Sequence, residues 1–211
     1  MTDATVRWNG RERVRHVLMV SLIAVGILPG SRAPAIARAA APELHGTVRI
    51  GDKPAANVVI WVDVPGAPTT ADPDTRPVLD QRNLAFYPRV LAVQVGTVVE
   101  FPNHDRVFHN VFSFHDGKRF DLGLYPTGTK KRITFDRPGL SHLFCNIHPH
   151  MAAYIMAVDS PYFAVSDESG RFMIRGVPTG TYAYHLWRPG ATIFTGSVGV
   201  TPERRWEVQW R

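Results

Sequence analysis

Fourteen residues in the C-terminal half, "LFCNIHPHMAAYIM" (Leu143–Met156), hold the only cysteine of the chain, two histidines and two methionines. Cys145, His148 and Met151 follow a C-x-x-H-x-x-M spacing. Upstream, "NHDRVFHNVFSF" (Asn103–Phe114) places His109 at the start of a strand-like run. One thiolate, two imidazoles and a weak thioether form the donor set of a copper electron-transfer site, with His₂Cys in a plane and a long axial Met. Taken singly, each residue has a plainer reading: a surface or core histidine, a small buried thiol, a packing methionine. Three donor types within seven residues, plus a fourth upstream, favour a shared ion. A lone cysteine cannot close an intramolecular disulfide. In an oxidising compartment it is an intermolecular bridge, a buried hydrophobe, or a reactive or metal-bound thiolate.

Donors on one short loop and one distant strand converge only if a sheet sets that strand beside the loop. The chain supplies the strands. Between Leu79 and Val158 lie "RVLAVQV", "TVVEFPN", "HNVFSF", "KKRITF", "LSHLFC" and "AAYIMAV", and none carries a 3.6-residue period beyond two turns. Before this block, "HGTVRI" and "ANVVIWVDV" read as strands separated by the turn "GDKP"; "PGAPTTADPDTRPV" (65–78) reads as an exposed loop. After it, "RFMI" and "TYAYHLW" alternate with the turns "SDESG" and "VPTG". The 17 glycines and 17 prolines are spread along the chain, as many short strands require. The expected class is therefore all-β.

Residues 80–158 resemble a cupredoxin of the plastocyanin/amicyanin type. The motifs are Phe86-x-Pro88, "VQVGTVVEFPN" (Val93–Asn103), "HNV" (His109–Val111), "FDRPG" (Phe135–Gly139) and "FCNIHPHM" (Phe144–Met151). The whole chain is similar to plastocyanin-like proteins labelled as methylamine-utilisation proteins. The resemblance implies a Greek-key β-sandwich with one type 1 copper held by His109, Cys145, His148 and Met151. It also implies that Asn110 pins the ligand loop from outside the donor set. His150 departs from the pattern, because the family often has an aromatic or small residue before the axial methionine. It is a further candidate donor, Met156 reads as a packing residue, and His104 is a minor alternative to His109.

The flanks resemble the two halves of a carboxypeptidase regulatory-like β-sandwich. Asp167, Gly170, Phe172, Val177, Pro178, Gly180 and Tyr182 match its second half, and Gly46-Thr47-Val48 with "ANVVIWV" its first. The expected division is 40–69 plus 160–211 for the split sandwich and 70–159 for the copper domain inserted in it. Exchanging a loop of about 5 residues for one of about 90 costs only roughly 2.5 kcal/mol of closure entropy. An insertion of this size is therefore thermodynamically tolerable.

Residues 1–39 read as a signal peptide. Four arginines (Arg7, Arg11, Arg13, Arg15) precede "VLMVSLIAVGIL", and Ala37-Arg38-Ala39 supplies a small-residue cleavage site. The apolar run is short against the roughly 20 residues of a spanning helix. Membrane contact is thus expected only through an uncleaved signal, and the mature protein is expected to be soluble and periplasmic or otherwise exported. Residues 40–211 hold 18 Lys/Arg against 16 Asp/Glu, so most of the net +6 belongs to the signal and nothing points to a nucleic-acid partner. The surviving cluster Lys130-Lys131-Arg132 reads as a solvated strand.

These readings imply a one-electron carrier with protein redox partners of the cytochrome or dehydrogenase class. The alternative is a copper-handling protein using the same donors, to which His115, His142 and His150 would contribute. An enzyme with Cys145 as nucleophile and His109 or His148 as base is disfavoured, because no acid stands out as a third member. Trp61, Trp187, Trp206 and Trp210 are either core or a docking surface on the flanking sandwich.

Overall fold

The computed structural model describes residues 4–7, 43–114, 116–201 and 205–210. Every regular element among them is a β-strand, and no helix is long and apolar enough to cross a membrane. In chain order the strands are β1 (Ala4–Arg7), β2 (Glu43–Ile50), β3 (Lys53–Pro54), β4 (Val59–Asp63), β5 (Asp80–Arg82), β6 (Ala85–Tyr87), β7 (Val90–Gln94), β8 (Val98–Pro102) and β9 (Phe112–Ser113). They continue with β10 (Phe120–Asp121), β11 (Lys130–Thr134), β12 (Gly139–Phe144), β13 (Ala152–Val158), β14 (Phe163–Val165), β15 (Arg171–Arg175), β16 (Gly180–Trp187), β17 (Phe194–Val200) and β18 (Trp206–Trp210).

Two sheets are built from the two ends of this stretch. One runs β1-β18-β2-β15, with β3 against β2, and the other runs β14-β4-β16-β17. Residues 80–158 make the remaining sheets: β10-β9-β12-β13-β7, the pair β11-β8, and the hairpin β5-β6. Three apolar clusters stack these sheets. Leu44, Val48, Ile60, Val62, Leu186, Trp206 and Val208 fill the space between the two outer-segment sheets. Val59 and Trp187 meet Val90, Ala92, Met156 and Val158 across the next gap. Val99, Phe101, Phe135, Leu143, Cys145, Met151, Ala153 and Ile155 form the last cluster, which carries the site.

Side-chain alternation explains how β4 and β13 serve two clusters each. Ala153, Ile155 and Ala157 of β13 point into the site cluster, while Met156 and Val158 point into the middle one. Strands covered on both faces need near-continuous apolar sequence, which "VVIWV" and "AAYIMAV" provide. Met156 is accordingly a packing residue between sheets. Trp187, Trp206 and Trp210 are buried, and Trp61 is half-buried, packed on the middle cluster and stacked on His185. Three of the four tryptophans are thus core residues that pack the sheets together.

Of the expected signal segment, Ala4–Arg7 forms an edge strand antiparallel to β18, in register Ala4 with Trp210. β18, paired on its other side with β2, has an open edge that this short strand covers. Residues 8–39 lie outside the described residues. The basic cluster sits in β11, where Lys130 and Arg132 pair with Glu100 of β8 (2.7 and 2.8 Å) and Lys131 lies over the Tyr125 ring.

Candidate metal centre

The antiparallel pairing of β12 with β13 brings Phe144 opposite Ala152, so residues 145–151 form the loop that joins them. Cys145 leaves β12 pointing into the site cluster and is buried. A turn, closed by the Met151 N–H donating to the His148 carbonyl (2.9 Å), carries Met151 back into the same cluster, where it is 1% exposed. His109 arrives from the other side. It pairs with Tyr125 through both backbone bonds, its N–H donating to Tyr125 (3.2 Å) and its carbonyl accepting from Tyr125 (2.8 Å). Its side chain is fully buried.

These elements bring three of the four expected donors to one point. Cys145 Sγ lies 3.8 Å from His109 Nδ1 and 3.7 Å from His148 Nδ1, and the two Nδ1 atoms are 3.0 Å apart. The point equidistant from all three atoms is about 2 Å from each, the length of a metal–imidazole bond. The Nδ1 atoms of His109 and His148 face each other at hydrogen-bond distance, an arrangement that a shared proton or a cation between them satisfies. Burial, reinforced by His109 and His150 nearby, pushes the His148 pKa down and keeps that ring neutral, as a metal donor has to be. The residues present therefore fit a small, soft cation.

The surrounding shell fixes these donors. Asn110 Oδ1 accepts the Asn146 N–H (2.7 Å), tying the ligand loop to the residue after His109, and Asn110 Nδ2 donates to Asp121 (3.3 Å). Asp105, which the sequence reading passed over, lies 2.8 Å from His109 Nε2. Burial opposes its charge, but hydrogen bonds from the Leu84 N–H, His109 and the Asn83 N–H hold its carboxyl below the usual range. Its only signal in the sequence is its place four residues before His109, inside a stretch that otherwise reads as loop. Buried Asn103 shapes that stretch, accepting the Asp105 N–H (3.0 Å) and donating to the carbonyls of Val107 (2.9 Å) and Tyr125 (3.2 Å).

Asp105, His109 and Cys145 also form the line acid–imidazole–thiol, so the third member that the sequence did not offer is present. Two features oppose a nucleophilic role. The thiol is buried, and a second imidazole occupies the space in front of it. The other described candidates lie outside the cluster. His104 is exposed and bonded to Asp80 (2.8 Å). His150 is exposed, its ring 6.2 Å from that of His148. His142 stacks on Tyr154, in register opposite it on β13, and His115 lies outside the described residues. Of the apolar side chains around the cluster, Met151 is buried, whereas Phe108 is 55% exposed and Ile147, beside His148, is 48% exposed.

No family model matches the chain, and no curated protein matches it. Among solved structures it is similar to a copper-containing nitrite reductase from Thermus scotoductus, at 28% identity and TM-score 0.39, over 46% of this chain and 25% of that one. The chain thus spans a quarter of that enzyme's length. It is similar to a purple cupredoxin from Nitrosopumilus maritimus, at 25% identity and TM-score 0.35, over 40% of this chain and all of that one. A reduced amicyanin variant gives 20% identity and TM-score 0.38, over 47% of this chain and 98% of that one.

Proposed function

We propose that this protein is an exported type 1 copper protein that carries single electrons between redox proteins, with His109, Cys145, His148 and Met151 as its donors. The observation that carries the reading is the triangle of Cys145 Sγ and the two Nδ1 atoms, whose common centre lies about one metal–ligand bond from each. A thiolate and a thioether beside two imidazoles select a soft cation such as copper over magnesium or calcium. Copper bound there supplies a couple between Cu(I) and Cu(II). The residues do the rest. Sheet pairing and the Asn110–Asn146 bond hold the donors in place, and the apolar cluster around Cys145 and Met151 keeps water from them. His148, only half-buried and flanked by exposed Ile147, gives a redox partner its nearest approach.

In the same reading, the chain divides into a carboxypeptidase regulatory-like sandwich of residues 40–69 plus 160–211 and a copper domain of residues 70–159. The division is supported by strand pairing, since β2 and β4 pair with β14, β15, β16 and β18 and with no strand between Asp80 and Val158. A second reading, copper handling without electron transfer, draws on exposed His150 beside His148 as a site where incoming copper is first held. Addition of Cu(II) to purified protein separates them. The carrier reading expects an intense thiolate-to-copper band near ~600 nm and a reversible couple. Binding without that band, with ready loss of copper to a chelator, would establish the handling reading instead.

A further inference from the structure

We propose that Asp105 is a positioning residue that dictates which nitrogen of His109 faces the metal and strengthens that ring as a donor to Cu(II); the inference rests on the copper reading above. The carboxylate is held from two sides. Its Oδ1 accepts the Asn83 N–H (2.6 Å), and its Oδ2 accepts both the Leu84 N–H (2.9 Å) and His109 Nε2 (2.8 Å). An ionised carboxylate only accepts, so the His109 proton resides on Nε2 and the Nδ1 lone pair is left aimed at Cys145 and His148. The ring is fully buried and cannot exchange this partner for water.

The hairpin supplying the two backbone donors adopts an uncommon backbone for that purpose. Asn83 and Leu84 join β5 to β6 with φ of +53° and +56°, the conformation of a two-residue turn that ordinarily selects Asn-Gly. Leucine in that region costs about 1–2 kcal/mol. The turn aims both N–H groups at one carboxylate, and further bonds hold it there. The His104 N–H donates to the Gln81 carbonyl (2.9 Å), and His104 Nδ1 meets Asp80 (2.8 Å). Hairpin, Asp105 loop and His109 are thus one connected unit. A negative charge behind the imidazole makes it a better donor and favours the more highly charged copper state.

The test compares wild type with Asp105→Ala and Asp105→Asn, the second keeping size and one acceptor oxygen if the first does not fold. In metal-free protein, long-range ¹H–¹⁵N correlation reads the His109 tautomer. Wild type is expected to carry the proton on Nε2, and the alanine variant to populate Nδ1–H. Competition titrations with Cu(I) and Cu(II) chelators give the second readout. Both variants are expected to lose about 10–100-fold in Cu(II) affinity with Cu(I) affinity little changed. That loss corresponds to a rise of about 60–120 mV in reduction potential at 59 mV per tenfold. An unchanged Cu(II)/Cu(I) affinity ratio in both folded variants, or a wild-type His109 protonated on Nδ1, overturns the proposal. If wild type itself binds no Cu(II), the copper reading fails instead, and the tautomer result still decides whether Asp105 positions the ring.

Discussion

The Nδ1 atoms of His109 and His148 lie 3.0 Å apart although 39 residues separate them in the chain. Sheet pairing and the Asn110–Asn146 bond achieve this. His109 is anchored to Tyr125, and His148 hangs from the β12–β13 connection. Two facing nitrogens with a thiol sulfur 3.7–3.8 Å from both make a site whose occupant is judged by colour and by sulfur dependence. Cys145→Ser is therefore expected to abolish the absorption near ~600 nm, because the band requires a thiolate donor. Weaker copper binding through the two histidines should persist. Visible spectra of the Cu(II)-loaded variant check this, and an undiminished band would remove Cys145 from the donor set.

Asn110 tests the ligand loop apart from the ligands. Asn110→Ala removes the acceptor for the Asn146 N–H and the contact with Asp121. The expected cost is about 1 kcal/mol of stability for the lost hydrogen bonding and about 10–100-fold in metal affinity, as for other partners that orient a donor. Native-state hydrogen exchange supplies the local measurement. The Asn146 amide should exchange faster in the variant, while the amides of β13 keep their protection.

The clustering of Cys145 and His148 with His109 was legible in the sequence because the spacing on one loop is short and the residue types are rare. His109 was legible through the strand-like run that follows it. The Asn110 contact with the ligand loop follows from adjacency to His109, and the all-β class follows from short apolar runs with dense turn residues. Asp105 was not legible, because its contacts depend on backbone donors 22 and 21 residues earlier, at a turn whose Asn83-Leu84 lacks the usual glycine. The strand at Ala4–Arg7 was equally hidden: its partner, β18, lies at the far end of the chain.

The middle apolar cluster gives a prediction that leaves the site aside. Met156 is 2% exposed and packs between β7/β13 and the sheet that contains β4 and β16. Its side chain points away from the donors, because alternate residues of β13 face opposite clusters. Met156→Ala should destabilise the fold by about 2–5 kcal/mol through a cavity that the neighbouring sheets cannot close. The copper spectrum of the folded fraction should not change. Chemical denaturation with the spectrum recorded in parallel separates the two effects, and a shifted band would mean that the inter-sheet packing reaches the donors.

Glu100 contributes to the acid dependence of the β8–β11 sheet. Lys130 and then Arg132, hydrogen-bonded to its carboxylate at 2.7 and 2.8 Å, hold its pKa below the ordinary value. A folded-state pKa below the unfolded one means that the ionised form is the one stabilised by folding. That contribution is complete above the usual carboxylate range, and it is lost as pH falls through that range to the depressed folded value. Glu100→Gln cannot titrate, so it should be less stable than wild type near neutral pH. The gap should narrow steadily on acidification below the carboxylate range. Because the cations are 44% and 60% exposed, added salt should also shrink the neutral-pH gap. Denaturant unfolding at several pH values reads both trends, and a gap that widens toward acid pH would show that Glu100 is not held ionised by these partners.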